Sequence, residues 1–110
     1  MKRLLLTIAL LAIAVAVFAP AAQAERVLPI SDAADLTKRV AKRDCKRDEN
    51  CTTSDAANCR RLTPRRVSCV ASNVGADRDG EYQCDRLVIV RLRNNGSLRH
   101  AKGKPSCYDL

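Results

Sequence analysis

The sequence predicts an α+β fold in which one N-terminal amphipathic helix packs on an antiparallel sheet of about four strands, disulfide-stapled. Three observations predict it. A helix-forming stretch after Ser31 carries its apolar residues on one narrow side. The chain from Cys59 onward alternates strand-like runs with turn signals. Six cysteines lie in the part that follows an export signal. A helix with one apolar stripe and a sheet with one apolar face bury each other most simply as two layers.

That export signal is expected at Met1–Ala24. Lys2 and Arg3 form a positive start, residues 4–18 run apolar with only Thr7 interrupting, and Ala22-Gln23-Ala24 presents small residues around a cleavage point before Glu25. No cysteine sits near that point, which disfavours a lipid anchor, and Pro20 favours processing over a retained span. The mature part, residues 25–110, is then 86 residues long, the size of one domain. Loss of Lys2 and Arg3 leaves 18 basic against 12 acidic residues, a net charge of +6. The 46 % apolar content of the whole chain overstates the core, because the leader is apolar almost throughout. Only two aromatics remain, Tyr82 and Tyr108. So short a chain buries a thin core and depends on covalent staples.

Each element has its own warrant. Residues 25–30 read as an extended lead-in. Ser31 and Asp32 are N-cap residues, and Asp32 and Asp35 suit the positive end of a helix dipole. The helix runs to about Asp44, with Ala33, Leu36 and Val40 on one side and Lys38, Arg39, Lys42 and Arg43 on the other. Residues 46–58 are polar, with a Thr52-Thr53-Ser54-Asp55 cluster, and read as a loop. Residues 59–62 and 67–71 are strands flanking Thr63-Pro64-Arg65-Arg66, where Pro64 holds the second position of a turn. Residues 75–80 read as a second loop. Residues 82–93 form the strongest strand: Tyr82, Cys84, Val88, Val90 and Leu92 share one face, and Gln83, Asp85, Arg91 and Arg93 the other. Arg86, Leu87 and Ile89 break that alternation and place the strand centrally. Asn95-Gly96 is a hairpin-turn signal leading into a last strand over residues 97–102, which Pro105 ends.

The cysteines are Cys45, Cys51, Cys59, Cys69, Cys84 and Cys107, an even number in a short exported chain. Cys-x-x-Cys pairs are missing and His100 is the lone histidine, which argues against structural zinc and dithiol redox chemistry. Six cysteines allow fifteen pairings. A turn at Pro64 sets Cys59 opposite Cys69, a two-residue turn at Asn95-Gly96 sets Cys84 opposite Cys107, and Cys45 and Cys51 are left to clip the helix end. A turn centred between Ala76 and Asp77 competes, since it sets Cys69 opposite Cys84.

The run from Cys59 to Cys69, CRRLTPRRVSC, resembles a hairpin of small exported cysteine-containing actinobacterial proteins of unassigned function. That group pairs Cys-Arg, a short Ser/Thr turn, Arg-Val and Cys with a following strand rich in Val and Arg. The resemblance spans about residues 31–100 and implies export and architecture; it assigns no chemistry.

Function classes follow from what the residues offer. An enzyme would have to use His100, and the order Glu81, Arg91 or Arg93, His100 has the base, charge stabiliser and acid of secreted microbial ribonucleases. Against that, few aromatics are available to stack a base, and Glu81 abuts a loop. No nucleophile elbow, phosphate loop or zinc-protease motif occurs, and pairing consumes the thiols. No catalytic residue, cofactor or metal is therefore expected. A disulfide-clipped Thr63-Pro64-Arg65-Arg66 tip is a candidate substrate-like loop for inhibiting a trypsin-like hydrolase. Lys38, Arg39, Lys42, Arg43 and Lys46 are a candidate anion-binding helix face, suited to an anionic cell-envelope polymer. The first expectation is an exported, monomeric, non-enzymatic binding protein, secreted or envelope-associated. Its partner would be such a polymer or a secreted protein, with no specific nucleic acid. The second is a small hydrolase inhibitor, and the third a ribonuclease-type toxin. Neutralising Lys42 and Arg43, set against Arg91 and Arg93, would localise an anion site, whereas retention lost by ~0.15–0.3 M salt reflects bulk charge alone.

Overall fold

A computed structural model describes residues 26–110; the expected leader, Met1–Ala24, lies outside the described residues. One helix, α1 (Ile30–Lys46), precedes five strands: β1 (Cys51–Thr63), β2 (Arg66–Asp77), β3 (Gly80–Leu92), β4 (Leu98–Lys102) and β5 (Ser106–Asp109). All pairings are antiparallel, in the order β1-β2-β3-β4, with β5 beside β3 beyond the end of β4. The helix lies across β1 and β2 and touches β3. This is the predicted helix-on-sheet architecture, with one strand more than the pattern suggested.

The helix buries Ala33, Thr37, Val40 and Ala41. Thr37 sits in the apolar stripe because its hydroxyl donates to the Ala33 carbonyl at 2.8 Å, so no polar group is left unpaired there. Opposite lie Val67, Cys69 and Ala71 of β2 and Val88, Val90 and Leu92 of β3. The helix starts at Pro29 without a side-chain cap, two to three residues earlier than Ser31 and Asp32 suggested. Proline already has the extended backbone that a cap residue needs. The lead-in is structural. Leu28 is fully buried, its amide donates to the Pro64 carbonyl at 2.8 Å, and the Arg61 guanidinium donates to its carbonyl.

Pairing residue by residue defines two sheet faces. Val67↔Val90 and Cys69↔Val88 point to the helix, so Arg66↔Arg91, Ser68↔Ile89 and Val70↔Leu87 point away from it. The alternation in β3 is thus unbroken: Arg86 reaches under the helix to Asp44, and Leu87 and Ile89 lie on the open face.

Three expectations are corrected. Residues 51–58, expected as loop, are the first half of β1. It is an edge strand, so its polar residues stay in solvent while its backbone pairs with β2. The loop expected over residues 75–80 shrinks to a turn at Arg78 and Asp79, because Gly80 takes φ +123° and Asp77 Oδ1 accepts from the Asp79 amide at 2.8 Å. That turn sets Cys84 opposite Asn73 and Cys69 opposite Val88, which removes the competing Cys69–Cys84 pairing. The Asn95-Gly96 connection is longer than two residues. Arg93 and Ser97 bond across it, and Gly96 takes φ +85°. This shifts β4 by one residue, and the break between β4 and β5 around Pro105 restores the register that brings Cys107 opposite Cys84.

Three disulfides close the structure: Cys45–Cys51, Cys59–Cys69 and Cys84–Cys107. The first ties the helix end to β1, and the other two cross between strands. Asn58 forms a bulge beside Cys59, with the positive φ of 52° that asparagine tolerates better than most residues.

Candidate functional site: two cationic faces

Positive charge is segregated along this chain. Residues 56–76 and 86–108 contain no Asp or Glu, and they hold Arg60, Arg61, Arg65, Arg66, Arg86, Arg91, Arg93, Arg99, Lys102 and Lys104. Folding divides these cations between opposite sides of the sheet.

The face expected from sequence is the back of α1. Lys38, Arg39, Lys42, Arg43 and Lys46 are all exposed there. Asp35 joins Lys38, Arg39 and Lys42 around one shallow depression and dilutes its charge.

The open sheet face carries a second cluster that the sequence reading missed. Arg66 pairs with Arg91, and Arg91 with Arg99, so three exposed arginines stand side by side across β2, β3 and β4. Neighbouring strands are ~4.8 Å apart, so the row spans about 10 Å. No ion pair or side-chain hydrogen bond engages any of the three among the described residues. Arg60, opposite Ser68, continues the cluster onto β1. Beside the row, Ile89 and Ala101 floor a depression of about 130 Å³ edged by all three arginines. The nearest acid on this face of β3 is Asp85, six residues along the strand from Arg91. That is roughly 20 Å, beyond the ~8 Å screening length of physiological salt. The sequence singles out Arg66, in the Thr63–Arg66 tip, and Arg91, in the catalytic set, but neither Arg99 nor the row itself.

At the other end of the helix, charge is compensated. Asp44 accepts from Arg86 at 3.2 Å and Lys102 at 3.4 Å. Tyr82 donates to Asp48 Oδ2 at 2.5 Å, and its ring lies over Gly75, where a Cβ would sit 2.6 Å from the Asn50 carbonyl. Glycine is required at that close approach. The hydrogen bonds from Tyr82 and from the Asn50 amide hold Asp48 below the usual carboxylate range, and the bond to Asp48 pushes Tyr82 up to about 12. Burial, and then the Asp85 carboxylate, raise Tyr108. Stabilisation from Asp48 is present above its unfolded pKa of ~3.9 and is lost as pH falls through its lowered folded value. Stabilisation from Tyr82 is present below ~10 and lost as pH rises through about 12. With two tyrosines and no tryptophan, ultraviolet titration reads this directly. Tyr82 should ionise near 12 and return toward the ordinary value in Asp48→Asn. Two unperturbed transitions in the native protein would contradict the bond.

Glu81 and Arg91 share the open face but stand ten residues apart on β3, roughly 33 Å. His100 pairs with Val90 on the opposite face, so Glu81, Arg91 and His100 do not converge. In the Thr63–Arg66 tip, the Pro64 carbonyl accepts from Leu28 and Arg61, and the Arg65 carbonyl accepts from Leu92. Arg65 also donates to Asn94 Oδ1 at 2.8 Å. The tip is a tight turn with its carbonyls engaged inward, unlike the free extended backbone of a substrate-like loop. Among the described residues no cluster of His, Cys, Asp and Glu could hold a metal, and no helix is long and apolar enough to cross a membrane. Comparison with protein-family models, curated proteins and solved structures finds no match.

Proposed function

We propose that the mature chain is an extracytoplasmic, non-enzymatic binding protein whose partner is an anionic polymer of the cell envelope or its surroundings. Three disulfides hold a fold of this size, and such bonds form and persist in oxidising compartments outside the cytoplasm. The observation that carries the reading is the gathering of exposed cations on two faces, of which the open sheet face has no acid near its arginines and, among the described residues, no internal counter-charge. A field of that kind attracts a polyanion from a distance and holds it across a surface. The candidate catalytic set is dispersed over two faces, which favours binding over turnover.

The test is binding of oxidised residues 25–110 to immobilised poly(glycerol phosphate) and to uncharged dextran at low salt. Saturable binding to the first and none to the second is expected. Equal retention on both, or none on either, overturns the reading.

A further inference from the structure

We infer that the open-face row Arg66, Arg91 and Arg99 is the recognition site, and that its ligand is a linear phosphodiester polymer lying across the strands. The inference rests on the polyanion-binding reading and assigns it a surface and a ligand class.

Arginines directly opposite one another in a sheet repel, and evolution has other residues for an exposed strand position. Here three occur in consecutive cross-strand register, with neither ion pair nor side-chain hydrogen bond among the described residues to relieve them. A local arrangement that costs stability without an internal compensation marks a functional surface. The helix back is different, because its cations follow the ordinary spacing of a solvated helix face and share it with Asp35.

The ligand class follows from the row itself. All three cations are guanidiniums, whose planar forks match the two free oxygens of a phosphodiester and stay charged at any physiological pH. The site is flat. The depression beside the row is only about 130 Å³, too shallow to enclose a ligand, so contact is made by successive charges of an extended chain. Partly buried Ile89 and exposed Ala101 provide an apolar floor that lowers the local dielectric and strengthens each contact. Acidic Glu81 and Asp85 occupy the far end of the same face and set a limit to the footprint.

Two charge-matched variants test this, Arg66→Gln/Arg91→Gln/Arg99→Gln and Lys38→Gln/Lys42→Gln/Arg43→Gln, each titrated with poly(glycerol phosphate) over a range of salt. The open-face variant should bind at least about tenfold more weakly near 50 mM salt. Its plot of log affinity against log salt should be shallower by about 2, close to 0.7 for each arginine removed. Its melting temperature should be unchanged or higher, since repulsion has been relieved, so weak binding will not reflect misfolding. The helix variant should lose less than half as much slope. Equal losses in the two variants overturn the assigned surface and leave the polyanion reading standing. Absence of binding by the unsubstituted protein overturns both. Polygalacturonate of matched charge density should bind more weakly; equal or tighter binding overturns the phosphodiester assignment.

Discussion

Reduction of the three disulfides should unfold residues 25–110 at ordinary temperature. Cys45–Cys51, Cys59–Cys69 and Cys84–Cys107 close short loops, with sequence separations of 6, 10 and 23. Loop-closure entropy gives about 2–3.5 kcal/mol for each, the last being the largest. A domain of the size of residues 25–110 has a net stability of about 4–13 kcal/mol, so the three together rival the whole. The apolar core offers little to replace them, since among the described residues its largest fully buried apolar side chains are one leucine and three valines, with no aromatic. Far-ultraviolet circular dichroism with and without dithiothreitol is the measurement, and the reduced protein should show no cooperative thermal transition. Paired replacement of Cys84 and Cys107 by alanine should lower the melting temperature more than the same change at Cys45 and Cys51. A reduced protein that melts cooperatively within a few degrees of the oxidised one would contradict this.

Leu28→Ala should be the most damaging single apolar truncation outside the regular elements. Leu28 precedes the helix, is fully buried, and joins the lead-in to the hairpin tip through its amide and carbonyl. Truncating a buried leucine costs about 2–5 kcal/mol, the transfer of the lost carbons plus the cavity they leave. For a domain this small that is about 10 °C or more in melting temperature. The neighbouring exposed Val27 gives the control, since Val27→Ala should change stability by no more than about 0.5 kcal/mol. Equal and small effects at both positions would mean that the lead-in is not part of the core.

Leu28 also shows where sequence reading stops. In a polar-flanked, proline-containing stretch it carries no period, so only the fold reveals that it fills the space beneath the hairpin tip. The helix was legible because Ala33, Leu36 and Val40 repeat at its period, and β3 because Val88, Val90 and Leu92 alternate. The first half of β1 was not legible. Thr52, Thr53, Ser54 and Asp55 look like a loop, and they are a strand because an edge needs a paired backbone on one side only. The disulfide pairs followed from turn positions, yet two of the turns needed correcting by a residue or more, and the break before β5 cancelled the second error. The arginine row depends most on register. Arg66, Arg91 and Arg99 belong to three strands, and a shift of one residue in either pairing would send a member to the helix side. Their acid-free surroundings were visible in the sequence; their alignment was not.

On the inferred arrangement the open sheet face, and not the helix back, meets a phosphodiester polymer. The measurement is amide chemical-shift mapping of oxidised, isotope-labelled residues 25–110 titrated with poly(glycerol phosphate). The predicted result is a set of perturbations centred on residues 66–68, 89–91 and 99–101, with little change over residues 38–46. Perturbations centred on residues 38–46, or spread evenly over every exposed cation, would contradict it.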